Sequence, residues 1–553
     1  MKRASRKLLI FSLVVAWPLV ASARYRRSYD AWTHMFFADH YRRGWWELWE
    51  PRWYGGFPVV AYPPLIHQLI ALVSFPLGVE IAWALVLLST LVALPFAFRA
   101  FARHIVGPRT AQQAAFLIPL LPSVHLTAHT FGQLPTLFGL MALLWGLAAL
   151  GDFLKSGQWK DGLRGGLWFA TAAAAHHGTI LVMPWAVAAM ALRSLEAREA
   201  SLAPVLSRLI LWAPATLLGI GIVIWPFWQW GIQQTMQHPI DHASRHSFLH
   251  DPIAAGLFLW PMYGPMLLAL PFLFPHLLRR RRRSIGGLFA LCFLMGMGGT
   301  TPLPRWVYGA GWEWLTYDRF ALWATIWLTP FLGAWSPAAH RRFQRSPLMK
   351  RAGVALLAAT ALYAGQIASL WPTQPPLLDL RPMIAFLNQE NVRSWRYVTF
   401  GLGDQMARLS IEVQAETIDG NYHTAREWTA LRESGLGSLD AAYWLPDGMA
   451  RLERVMPALG KVGVRWALVN HPAYIPILIR HGWRLHRILA NGVEIWENPG
   501  ALPPPSPAVR PIHPLASLSW GLLPGLTLVG AIGVSSASLK RPGHRPPEWK
   551  QGN

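Results

Sequence analysis

Long apolar stretches separated by short polar or aromatic loops fill most of the chain. They lie near 8–23, 80–101, 111–125, 134–151, 163–177, 178–193, 207–228, 255–277, 285–300, 320–336, 351–371 and 515–537. A helix needs roughly 17–25 residues to cross a bilayer untilted. The shorter stretches are therefore expected to tilt, break or pack among neighbours. The pattern predicts a polytopic α-helical membrane protein with about twelve transmembrane helices. Between 372 and 514 the texture changes to that of a small α/β domain. "RYVTFGLG" at 396–403 and "VRWALVNHP" at 464–472 read as buried strands, and "WRLHRILANGVEIWENP" at 483–499 as a hairpin turning at Asn491-Gly492. The stretches 423–434 and 447–460 read as helices. Pro-rich "WPTQPPLLDLRP" and "LPPPSPAVRP" bound this domain. The expected division is 1–371 as transmembrane domain with a first external loop at 24–79, 372–514 as α/β domain, 515–537 as last transmembrane helix and 538–553 as basic tail.

Composition supports that reading. Of 553 residues, 53% are hydrophobic, 14% are charged and 31 are tryptophan, too apolar for an ordinary soluble enzyme of this size. The net charge of +23 raises nucleic acid as a partner, but the basic residues sit in short clusters between apolar runs, as membrane orientation signals do. Nucleic acid is therefore not expected. A single cysteine, Cys292, rules out an intrachain disulfide or a cysteine-based metal site.

The clusters alternate. Arg99 and Arg103, Lys155 and Arg164, Arg193 and Arg208, the run Arg279 to Arg283 and the tail from Lys540 fall on the side of the N-terminus, whereas 126–133, 229–254 and 301–319 carry only Arg245, Arg305 and Arg319. This places both termini in the cytoplasm of a plasma (inner) membrane protein and the 372–514 segment outside. "VVAWPLVASA" also resembles a signal peptide with Ala21 and Ala23 at a cleavage site; a retained span is preferred because it tethers Asp30 at the membrane surface.

The first external loop holds "YDAWTHMFFADHYRRGWWELWEPRWYGGFPVVAYPPLIHQL". On a helix, Asp30 and His34 share a face while Asp39 points away, beside Arg42 and Arg43, where an exposed ion pair is expected. Asp30 follows the first span closely, where an acid is costly without a task; pairing with Arg26 or Arg27 is the plain alternative. Trp45, Trp46, Trp49, Trp53 and Tyr54 suit an interfacial helix at headgroup depth, ended by "YGGFP" and "YPPL". Gly401 and Gly403 suggest a phosphate loop, yet no G-x-G-x-x-G follows, and a strand ending in a turn is the better reading.

The D-x3-H pair, the aromatic stretch, "W-x-G-G-F-P" and "Y-P-P-L-x-H" together resemble the first external loop of GT-C-fold integral membrane glycosyltransferases, and within them the membrane family labelled 6-pyruvoyl-tetrahydropterin synthase-related. "FGQLP" at 131–135, "AAAAHHG" at 172–178, "YDRF" at 317–320 and "TIDGNYHTAREW" at 417–428 extend the resemblance over nearly the whole chain. It implies a GT-C-like fold and inverting transfer of a sugar from a polyprenyl-phosphate donor to an acceptor at the outer surface, with the first-loop acid, here Asp30, as general base. His34 is expected to assist it. A cation should stabilise the leaving phosphate. Arg319 leads, against the alternative of a surface arginine paired with Asp318, and Arg52 and Arg305 follow.

Histidines gather on the same side. His238, His242, His246 and His250 are spaced by four and would share a helix face; two could hold Mg or Mn, although a solvated face is the stronger reading. His129, His176 and His177 lie at the outer edge of apolar segments and need partners there. Membrane lipids, a polyprenyl-phosphate-linked sugar and an unknown acceptor are the expected partners. A non-catalytic membrane scaffold of an envelope assembly, or a transporter, stands as the alternative; the scaffold leaves the acidic loop without a role, and no internal repeat supports a transporter.

Overall fold

Proline and glycine decide where the apolar stretches stop being helix. In the computed structural model, which describes residues 2–233, 237–343, 347–367, 374–426, 428–505 and 513–539, the expected span 111–125 breaks into the helix Pro108–Ala115, a tight turn at Ile118–Leu120 and the short helix Pro122–His125. Each piece after the first begins at or beside a proline, which lacks the N–H that would continue the ladder. The stretch 255–277 bends by 56° between Pro252–Tyr263 and Met266–Leu277, at Gly264-Pro265. The segments after Lys155 and after Leu181 form helices of 17 and 14 residues, Trp159–Ala175 and Met183–Glu196.

The expected count of about twelve spans is therefore not obtained. Among the described residues, 5 helices are long and apolar enough to cross a membrane, or 6 if the bent pair is one span. They are Arg3–Ala21, Val79–Val106, Leu134–Ser156, Leu202–Val223 and Pro514–Ala537. Leu134–Ser156 has 89% of its most apolar window buried and forms the centre of the bundle, whereas Leu202–Val223 buries only 22% of a slightly less apolar window. Such an exposed apolar face belongs in lipid. The tail beyond Leu539, and parts of both Pro-rich boundaries, lie outside the described residues.

The α/β segment follows its sequence pattern closely. Strands β3 (Arg396–Phe400), β4 (Val464–Val469), β5 (Arg484–Ile488) and β6 (Glu494–Glu497) make one sheet in the order β3-β4-β6-β5. β3 and β4 are parallel, and the other pairs are antiparallel. Gly492 supplies φ +84° in the hairpin turn. The helix Gly448–Leu459 forms as expected, but 423–434 yields only a turn at His423–Ala425 and the short helix Thr429–Glu433.

The first loop departs from expectation after its helix, Ala31–Arg43. The tryptophans do not form an interfacial helix. Strands β1 (Trp49–Glu50) and β2 (Phe57–Pro58) make a two-stranded ribbon around a turn in which Tyr54, Gly55 and Gly56 all have positive φ. The Trp49 ring occupies the space a Cβ on Gly56 would need. Trp53 stacks on Phe36 at 3.9 Å and is fully buried, while Trp45 donates to the Gly521 carbonyl at 3.2 Å. These rings seat the loop on protein, not lipid, because the α/β segment and the last helix both cover it.

Candidate functional site

Asp30 stands at the N-terminus of the helix Ala31–Arg43, where an acidic side chain ordinarily caps the first turn. Here others do that work. Ser28 Oγ accepts from the Ala31 N–H at 3.2 Å, and Asp404, from the α/β segment, accepts from the Trp32 N–H at 2.8 Å and the Thr33 hydroxyl at 2.9 Å. The Asp30 carboxyl makes no capping bond, which leaves it free to face another group.

The backbone beside it is clamped. Tyr29 and Asp30 N–H groups donate to the carbonyls of Thr130 and Phe131 at 3.0 and 3.1 Å. Those carbonyls belong to the end of a wide helical turn, Leu126–Thr130, followed by Gly132 at φ +71°. A Cβ on Gly132 would come within 2.6 Å of the Ala31 nitrogen, so the close approach requires glycine. The next residue, Gln133, hydrogen-bonds the Asp30 side chain.

Opposite lie the first residues of the helix Asp318–Phe343. The charges of both Arg319 and Asp318 act on Asp30. Burial pushes the Asp30 carboxyl up to about 6, against the pull of the Arg319 guanidinium and the Gln133 hydrogen bond. The charge of Arg319 also reaches His176, His177, Tyr62 and Tyr422, so one cation sits at the centre of this cluster. Arg319 and Asp318 do not pair with each other. The buried Nε of Arg319, Oδ1 of Asp318, both nitrogens of His176 and Nδ1 of His177 have no hydrogen-bond partner. Buried polar atoms in a fold are nearly always paired, so this concentration marks a place built to receive a polar group.

The α/β segment closes the site from above. Tyr422 donates its hydroxyl to the Ala61 carbonyl at 2.9 Å, and its ring lies against Phe37 and Tyr62. Asn421 donates to Asp404 at 3.0 Å. Burial first, and then the Asp30 charge, push Asp404 up to about 8 against these hydrogen bonds. Neither Asp404 nor Gln133 stood out in the sequence. Gln133 lies in a quoted motif, but Asp404 follows a strand in what reads as a plain turn. That turn is indeed no phosphate loop: the N–H groups of Leu402 and Gly403 donate to Asp440 at 3.0 and 2.7 Å.

His34 turns its Nδ1 to His67 Nε2, 3.1 Å away, and stacks against Trp83, and it stays within the cluster, 5.4 Å from the Tyr62 ring and in reach of the Arg319 charge. Several other expected site residues lie elsewhere. Arg52 is consumed by Glu50 and Asp39, each at 2.6 Å, so no phosphate can take its fork. Asp39 is fully buried in that network with Arg43, not exposed. Arg305 stacks over Trp312 at 4.4 Å. His129 stacks on His125 inside the helical core. His176 and His177 do join the site.

The four spaced histidines do not share a helix face. Their segment is irregular, with one turn at Ala243–Arg245. His246 bonds Asp251 and Asp241 at 2.7 and 3.1 Å, His242 bonds Ser244, and His250 approaches Ser247. Among the described residues no group of three or more His, Cys, Asp or Glu is arranged to hold a metal ion. The donor set does not fit the Mg or Mn site that the spacing suggested.

No protein-family model matches this sequence, and no curated protein matches it. Solved structures do. ArnT from Cupriavidus metallidurans bound to undecaprenyl phosphate matches with a TM-score of 0.53 at 12% identity, over 89% of this chain and 99% of that one. ArnT from the same organism in the apo state matches with a TM-score of 0.51 at 13% identity, over 90% and 100% of the two chains. Nothing supports the narrower resemblance to the family labelled 6-pyruvoyl-tetrahydropterin synthase-related. At these identities the likeness is one of fold, and the fold is that of these ArnT structures.

Proposed function

We propose that the chain is a membrane glycosyltransferase that moves a sugar from a polyprenyl-phosphate donor to an acceptor hydroxyl at the external membrane face. The observation that carries this reading is that Asp30 lies within reach of the Arg319 charge, beside a group of unpartnered buried polar atoms. An ArnT structure of the same fold holds undecaprenyl phosphate, which supports the class of donor.

The chemistry is a single displacement with inversion. The acceptor hydroxyl attacks the anomeric carbon as Asp30 takes its proton, and the carbon–oxygen bond to the donor phosphate breaks. A carboxyl near pH 6 is ionised at neutral pH yet more basic than an ordinary aspartate. The leaving polyprenyl phosphate keeps the bonding electrons, and the free fork of Arg319 stabilises that charge. His176 and His177 offer neutral nitrogens to the sugar or phosphate oxygens. A pure scaffold would gain nothing from these unpaired groups.

The test is release of polyprenyl phosphate from a panel of polyprenyl-phosphate sugars by the purified full-length protein. Asp30→Asn should lower turnover by about 10²–10⁴-fold without moving the thermal midpoint, and Arg319→Gln should raise the donor KM. The wild-type rate should climb as pH rises through about 6, where Asp30 loses its proton. An active Asp30→Asn enzyme would return the scaffold reading.

A further inference from the structure

A second polar site lies beside the first, at the seam between the helical body and the α/β segment. It is a cleft of about 440 Å³, a size within the roughly 300–1,000 Å³ of small-ligand sites. Three arginines from three separate parts of the chain, Arg245, Arg305 and Arg451, line it together with Trp312, Asp241 and Glu313.

The arginines are placed but not neutralised. Arg245 donates to the carbonyls of Leu315 and Ile240, Arg451 to the Gly435 carbonyl at 3.1 Å, and Arg305 lies flat on the Trp312 ring. Among the described residues none of the three forms an ion pair with a carboxylate. Asp241 is engaged by His246 instead. Backbone carbonyls orient a guanidinium without cancelling its charge, and with Asp241 and Glu313 acting on Arg245 from a distance the three arginines still leave the cleft a net positive charge. It also presents the Asp241 and Glu313 oxygens, which repel a simple polyanion but accept hydrogen bonds from sugar hydroxyls.

The cleft adjoins the proposed reaction site. Arg245 holds the Leu315 carbonyl at 3.1 Å, and the Tyr317 N–H donates to Ser244 at 3.1 Å. Leu315 precedes Arg319 by four residues, a reach of at most ~14 Å. Arg305 and Asp241 are exposed, so the cleft opens to solvent on its far side.

We infer that this cleft is the acceptor subsite and that it takes an anionic glycan, one bearing a phosphate or a carboxylate among its hydroxyls. The inference rests on the proposed transferase reading, with the donor phosphate at Arg319 and the acceptor charge at the three arginines. It gives Arg305 a role other than holding the donor.

Arginine footprinting tests this without turnover. Full-length protein in discs of neutral lipid is treated with phenylglyoxal, and modification of Arg245, Arg305 and Arg451 is followed by peptide mass spectrometry. Glucose 6-phosphate or glucuronate should slow modification several-fold, and whichever is stronger identifies the anion; glucose should not. Arg305→Ala with Arg451→Ala should raise the anion concentration needed to protect Arg245 by about tenfold, whereas Arg319→Gln should leave it unchanged. Equal protection by glucose, or none by any sugar, would overturn the inference. Loss of protection in Arg319→Gln would place the anion in the reaction site instead. Protection by phosphatidylglycerol in the disc, with no sugar present, would assign the cleft to lipid headgroups and also overturn it. Unchanged kinetics in Asp30→Asn and Arg319→Gln would defeat the transferase reading while leaving these footprints interpretable.

Discussion

Asp30 and Asp39 lie on one helix and have opposite electrostatic surroundings. Asp39 is fully buried, with Arg52 and Arg43 each at 2.6 Å and Arg42 at 3.3 Å. Asp30 faces one arginine that no carboxylate neutralises. The sequence showed that the two could not share a site, and that much holds. It showed Arg42 and Arg43 as neighbours but not Arg52, which returns through the ribbon, nor the cover supplied by Ser410 and Ile411. The consequence is a reversal of the expected mildness at Asp39. Removing one member of a buried ion network strands the rest, at a cost of about 3–5 kcal/mol. Asp39→Asn should therefore lower the thermal midpoint of the purified protein markedly, with Arg52 left on Glu50 alone, while Asp30→Asn leaves the midpoint in place. Equal midpoints for the two variants would show that the Asp39 network carries no stability.

At the scale of elements, strands and their turns were readable because their signals are local. The hairpin turn at Asn491-Gly492 and the buried runs at 396–400 and 464–469 need no distant partner to be recognised. Helix ends in the bundle were not readable to the same degree, since an apolar run looks alike whether it is one span or two bent pieces. The cap on the first-loop helix was illegible for a stronger reason: its donor and acceptor, Trp32 and Asp404, lie 372 residues apart. That cap has a pH signature. Burial raises Asp404 to about 8, Asp419 to about 7 and Asp440 to about 6. The folded chain thus holds protons that the unfolded chain gives up near pH 3.8, the ordinary aspartate value. Stability from these groups is full below that value and is lost as pH rises through the folded values. The thermal midpoint should fall between about pH 4 and about pH 8. Asp404→Asn, which cannot ionise, should flatten the upper part of that fall. An unchanged slope in the variant would remove Asp404 from the account.

At the scale of the whole molecule, contacts gather the basic loops onto one face. Arg99 donates to Ser5 at 2.9 Å, Arg103 and Arg164 meet on Asp152, Arg208 holds the Leu154 carbonyl, and Arg283 reaches Glu196. Arg193, on the helix that ends at Glu196, donates to the Ile105 carbonyl on the helix of Arg99 and Arg103, so the helix ends bearing Ser5, Asp152 and Glu196 lie together. The opposite ends carry Asp30, Arg319 and the α/β segment, and there the start of the helix Pro514–Leu539 meets the first loop through Trp45 and Gly521. Lys and Arg in short loops favour the cytoplasmic side, so the basic face should be inside and the Asp30 face outside. A reporter fused after Arg283 should read as cytoplasmic, and one inserted near Gly435 as external. Because the two positions lie on opposite faces, the test is internally controlled: both reading alike would contradict the bundle, while both reading reversed would keep the bundle and invert the membrane. Inversion would put Asp30 and Arg319 on the cytoplasmic leaflet, where a sugar donor need not be lipid-linked, and the polyprenyl-phosphate assignment would fall with it.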